Sequence, residues 1–133
     1  MKHLDLAIVL AVWCCLSVAA PTSPPVRAEI DALLSRLEAS GCQFNRNGSW
    51  YRGQEARDHL LRKLEYIEGM TTIQSTEQFI ELAASKSSFS GEPYQVKCGD
   101  ESPVQSQEWL SQQLASIRSS KRTQVLRPRP SNI

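Results

Sequence analysis

Four serines, Ser85, Ser87, Ser88 and Ser90, fall close together around Lys86. A serine nucleophile needs a neighbouring base to take its proton, and Lys86 or His59 is available for that role. The supporting spacings are missing. No G-x-S-x-G elbow is present, and no S-x-x-K places a lysine one helical turn after a serine. Lys86 adjoins Ser85 and Ser87, and neighbours on a helix do not face one another. The favoured reading is a helix end and a turn, with hydroxyls on the last helical carbonyls and Gly91 supplying an unusual backbone angle. The catalytic candidates are therefore Ser87, Ser88, His59 and Lys86, and none forms a convincing constellation.

His59 has Glu55 and Lys63 four residues to either side, the pattern of a base oriented by a carboxylate and equally that of a solvated ion-pair face. Arg46, Asn47 and Tyr51 form a third group with Tyr94. On one face of a sheet they would bind an anionic or sugar-like ligand; the plainer reading is cross-strand packing with an exposed arginine. From Arg118 to Ile133 come Arg118, Lys121, Arg122, Arg127 and Arg129 without an acid, which suits contact with anionic envelope components or a solvated tail. Two cysteines and one histidine beyond the leader, without ligand spacing, give no metal site, and no cofactor motif is present.

The elements that must carry these groups follow from periodicity. Val26, Ile30, Leu33, Leu34 and Leu37 recur at helical spacing after Pro24 and Pro25, and Gly41 stops the helix. Asn47-Gly48 between Phe44 and Trp50 predicts a hairpin of two short strands. Asn47-Gly48-Ser49 also matches the N-glycosylation pattern, but the tight turn is the simpler account. Ala56, Leu60, Leu64 and Ile67, widened by Leu61, predict a second helix over about 53–68. Ser75 and Gln78 form a capping box for a third, with Phe79, Ile80, Leu82 and Ala83 packing. "PYQVKC" alternates as a strand. A fourth helix is expected from Ser102 as cap and Pro103 at its first position, with Trp109, Leu110, Leu114 and Ile117 inward.

Residues 1–19 read as a signal peptide, with Lys2 in the basic region and an uncharged run that is short against the ~20 residues of a spanning helix. Cleavage is expected near Ala19, which removes His3, Cys14 and Cys15. Residues 20–25 are a proline-rich spacer, 26–118 a single domain, and 119–133 a basic tail expected to be disordered. Cys42 and Cys98 remain as a pair in an oxidising compartment, and we read them as a disulfide. Cys42 opens the first strand and Cys98 closes the third, so those strands must run antiparallel to bring the Cα atoms within about 7 Å. The fold class is α+β: about four helices packed on a small antiparallel sheet of three short strands. Formal net charge is +1, so no overall field points to nucleic acid.

"FNRNG", "EARDHLLRKL", "TEQFIELAASKSSFSGEPYQVK" and "WLSQQL", in this order and spacing, resemble the YfeK-like proteins of proteobacteria, small exported proteins with a domain of unknown function. The resemblance spans roughly residues 27–117 and implies a bacterial periplasmic protein. It implies no activity, and the disulfide rests on compartment and spacing, not on the resemblance. The resulting expectation is an exported, periplasmic or secreted, non-enzymatic binding or accessory module of the cell envelope. The alternative is a small hydrolase using a serine of the 85–90 cluster with His59 or Lys86.

Overall fold

The computed structural model describes residues 20–127. The leader expected at 1–19, and residues 128–133 of the expected tail, lie outside the described residues. Helix α1 (Pro24–Ala39) opens on two prolines, where a missing N–H costs nothing, so the spacer ends two residues earlier than expected. Its inward stripe is Ile30, Leu33, Leu34 and Leu37. Strands β1 (Gln43–Arg46) and β2 (Ser49–Arg52) form the hairpin. Asn47 and Gly48 both take positive φ, 53° and 83°, as a two-residue turn demands. The Asn45 side-chain oxygen accepts the Gly48 N–H at 3.2 Å and holds that turn.

Helix α2 (Gly53–Glu68) starts directly after β2 and buries Ala56, Leu60, Leu64 and Ile67. It begins hard against α1: a Cβ on Gly53 would stand 2.6 Å from the Leu37 carbonyl oxygen and 2.9 Å from Glu38 Cα. Helix α3 (Thr76–Ala83) is capped by Ser75, whose hydroxyl accepts the Gln78 N–H. The Gln78 side chain reaches one residue further back than a strict capping box, accepting the Gln74 N–H at 2.7 Å. Phe79, Ile80 and Ala83 are buried, but Leu82 is exposed, because the inward face of this short helix is already filled by those three and Thr76.

Strand β3 (Gln95–Lys97) pairs antiparallel with β1, as the cysteine argument requires. Cys42 and Cys98 stand at disulfide distance, their Cα atoms 4.2 Å apart. The sheet has four strands in the order β2-β1-β3-β4, one more than expected. Strand β4 (Val104–Gln105) occupies the place where Ser102 and Pro103 were expected to open the last helix. Pairing of Val104 with Val96 and of Gln105 with Gln95 satisfies the free edge of β3 and outweighs the local capping pattern. Helix α4 (Ser106–Leu126) therefore starts later. It also runs past Ile117 through Leu126, where a disordered tail was expected. No glycine or proline interrupts the chain before Pro128, and Arg118 is tied by ion pairs to Glu29 of α1 and Glu77 of α3.

The helices cover one face of the sheet. Phe44 and Val96 face each other across the β1–β3 ladder and join Leu60, Leu64, Phe79, Leu110 and Tyr94 in a single core. The same face carries Arg46, two residues beyond Phe44, and Tyr51, opposite Phe44.

Candidate functional site

Alternation along β1 decides where Arg46 points. Phe44 is fully buried against the helices, and Arg46, on the same face at the end of the strand, emerges at the rim of that core beside α2. Tyr94 arrives there from the other side: it is the residue before β3, next in register after the Asn45–Gln95 pair. On α2 the residues flanking the buried stripe are His59, Arg62, Lys63 and Tyr66, a second stripe at helical spacing. The three elements converge there.

The resulting polar cluster is continuous. Arg46 Nη1 lies 2.6 Å from His59 Nδ1, and His59 Nε2 lies 3.3 Å from the Tyr94 hydroxyl. Lys63 Nζ donates to that hydroxyl at 3.2 Å and to the Lys86 carbonyl at 2.7 Å. Arg46 also stands over the Tyr51 ring, 5.2 Å from its centroid, and Lys63 over the Tyr94 ring at 4.9 Å. The same Arg46 nitrogen lies 3.3 Å from His59 Nε2, so the guanidinium stands against the imidazole ring and meets both of its nitrogens. The Tyr94 hydroxyl accepts from Lys63 and stands beside His59 Nε2. The cations Arg46 and Lys63 bring only donors to the cleft.

Electrostatics agree. Burial, then the charges of Arg46, Lys63 and Arg62, pulls the His59 pKa down to about 4, so the ring is neutral at pH 7. Burial and Arg46 also lower that of Lys63. Burial raises that of Tyr94, and Arg46 opposes it. Among the described residues no carboxylate lies within ion-pair distance of Arg46, Arg62 or Lys63. The cluster divides a surface depression into two lobes. A smaller one of about 280 Å³ holds Glu55 and Asp58. The larger, about 450 Å³, contains no acidic side chain and is walled by Lys63, Tyr66, Ser87, Ser88, Phe89 and Tyr94.

The structure brings His59, which the sequence singled out by itself, to the group of Arg46, Tyr51 and Tyr94. It does not join His59 to Glu55 as a carboxylate-oriented base, since the imidazole turns to Arg46 instead. Ser87 is buried, and its hydroxyl accepts the N–H groups of Phe89 and Ser90. Ser85 donates to the Ile80 carbonyl at 2.6 Å, and Ser90 to Asn47 Oδ1 at 2.7 Å. These bonds build the turn, with Gly91 at φ 74°. Ser88 borders the larger lobe, but no serine hydroxyl of the 85–90 stretch is hydrogen-bonded to His59 or to the Lys86 amine among the described residues. Lys63, which the sequence placed beside His59 only as part of an ion-pair face, and Arg62, Tyr66 and Phe89 were not expected as lining residues. The signal was present for the first three in the second stripe of α2, once one knows which side of the buried stripe meets Arg46.

Among the described residues no group of three or more His, Cys, Asp or Glu could hold a metal ion, and no helix is long and apolar enough to cross a membrane.

Comparison with known proteins gives one family model, described as "Family of unknown function (DUF5329)", matching residues 24–118. The chain is similar to "Uncharacterized protein YfeK" of Salmonella typhimurium, with 36% identity over 95 residues, which is 71% of this chain and 77% of the relative. No solved structure matches.

Proposed function

The chain belongs to this family of unknown function, and we propose that it is an exported, periplasmic, non-enzymatic binding or accessory module of the cell envelope that holds an anion-bearing ligand in the larger lobe of its cleft. The observation that carries the binding reading is the pair Arg46 and Lys63, partly buried and, among the described residues, without a carboxylate partner, around a neutral His59 and a tyrosine hydroxyl. Partly desolvated, unpaired cations are costly to maintain and attract an anion strongly. Export is supported by the leader-like character of residues 1–19 and by a cysteine pair at disulfide distance.

Binding is tested by titrating the purified protein with inorganic phosphate while following the His59 and Tyr94 NMR resonances. Saturable shifts in both, weakened at least ten-fold by Arg46→Gln and by Lys63→Gln, are expected. No shift in the parent protein removes the reading. Export is tested by mass spectrometry of the protein from the periplasmic fraction, where a chain beginning near Ala20 is expected. A serine-reactive probe should leave the protein unlabelled; stoichiometric labelling lost in Ser88→Ala would replace the non-enzymatic reading with the hydrolase.

A further inference from the structure

Two large aromatic side chains stand at the mouth of the carboxylate-free lobe with almost nothing on them. Phe89 is 98% exposed and Tyr66 68%. Single exposed apolar residues are ordinary on a protein surface. These two line the same cleft as the unpaired cations, one from the turn after α3 and one from α2. The backbone that carries Phe89 is tied down: its N–H is bound by the buried Ser87 hydroxyl, and the turn is tied to the hairpin through Ser90 and Asn47. The lobe measures about 450 Å³, within the range of small-molecule clefts, about 300–1,000 Å³, and larger than a bare anion requires.

We infer that this lobe takes a phosphorylated saccharide, its phosphate on Arg46, Lys63 and the Tyr94 hydroxyl and a sugar ring against Phe89 and Tyr66. The inference rests on the anion-binding reading above and adds the rest of the ligand. The phosphate follows from the supply of donors. A carboxylate is satisfied by a single guanidinium fork, whereas here Arg46, with N–H groups beyond the one on His59, is joined by Lys63, the exposed Arg62 and the Tyr94 hydroxyl, a set suited to a tetrahedral dianion. The sugar follows from the mouth. Aromatic faces pack on the C–H face of a ring, and polar groups beside them meet its hydroxyls. The Asn47 amide NH2 is available because its oxygen is taken by Ser90, and Ser88 lies next to Phe89.

The test is calorimetric titration of the purified protein with glucose 6-phosphate, glucose 1-phosphate, inorganic phosphate, glucuronate and glucose. At least one sugar phosphate should bind about ten-fold more tightly than inorganic phosphate, and glucose alone should not bind. Phe89→Ala and Tyr66→Ala, both at exposed positions, should each shrink the advantage of the sugar phosphate over inorganic phosphate to less than about two-fold. Phosphate binding without any gain from the sugar overturns this inference and leaves the anion reading in place. Tighter binding of glucuronate than of either sugar phosphate overturns the choice of phosphate. No binding of any anion overturns both.

Discussion

His59 takes its charge state from its neighbours, and that makes the protein acid-sensitive in a defined window. The ring faces Arg46 from β1, Arg62 and Lys63 from its own helix and the Tyr94 hydroxyl, and its pKa falls from 6.5 to about 4. A histidine with a depressed folded-state pKa is neutral in the native protein while the unfolded chain is already protonated. The unfolded state therefore binds more protons between pH 6.5 and 4, and stability declines as pH falls through that interval. The loss should be on the order of 1–2 kcal/mol once solvent screening of the partly exposed ring is allowed for. Glu29 adds to the acid side of the same curve, because its hydrogen bond to Arg118 lowers its pKa as well: the loss begins as pH falls into the usual carboxylate range and is complete below the lowered value. Urea denaturation at pH 7, 5.5 and 4 should show the decline, and His59→Gln should flatten the part between pH 7 and 5.5. An equal slope in parent and variant would mean that His59 is not the group responsible.

At the scale of elements, the tightest joint is the start of α2. Gly53 lets the helix begin in contact with the backbone of α1 at Leu37 and Glu38, and both obstructing groups are main chain, which cannot rotate away. Gly53→Ala gains at most about 1 kcal/mol of helix propensity but forces two helices apart, at a cost of about 1–3 kcal/mol. A net loss of about 1–2 kcal/mol with an unchanged denaturant slope is expected from urea melts. Unaltered or increased stability would show that α1 and α2 can separate freely. Ser75→Ala, which removes a working cap, should cost about 1 kcal/mol in the same assay. These two joints differ in how they relate to sequence. The Ser75 cap, the Asn47-Gly48 turn and the buried stripe of α2 are written in local residue types, and all are legible from the order of residues alone. Gly53 marks a close approach that no local pattern announces. Strand β4 exists because β3 has an open edge, and α4 extends because Arg118 finds Glu29 and Glu77, both far away in sequence. Likewise Arg46, Tyr94 and His59 could each be singled out from sequence, but His59 joins Arg46 and not Glu55 only because the β1–β3 register and the seating of α2 bring them together.

For the molecule as a whole, the β1–β3 ladder separates the cysteine pair from the polar cleft. Its three residue pairs run from Gln43–Lys97 to Asn45–Gln95. Cys42 and Cys98 close one end, and Arg46 and Tyr94 project from the other. The bond joins residues 56 apart in sequence, so in the chain-entropy model it restricts the unfolded chain by up to about 4 kcal/mol. Removing it should act mainly on the unfolded state and leave the geometry of the cleft intact, because Arg46, Tyr94 and α2 are held by the core through Phe44, Val96 and Leu60. The double variant Cys42→Ala/Cys98→Ala should melt about 10–20 °C below the parent. At a temperature where both are folded, its affinity for inorganic phosphate should be unchanged. Reductant should lower the melting temperature of the parent and have no effect on the double variant. If the parent melts at the same temperature with and without reductant, the cysteines are not bonded in the purified protein. If the double variant stays folded but loses phosphate binding, the disulfide end of the ladder sets the position of Arg46 and Tyr94, and the two ends are not independent.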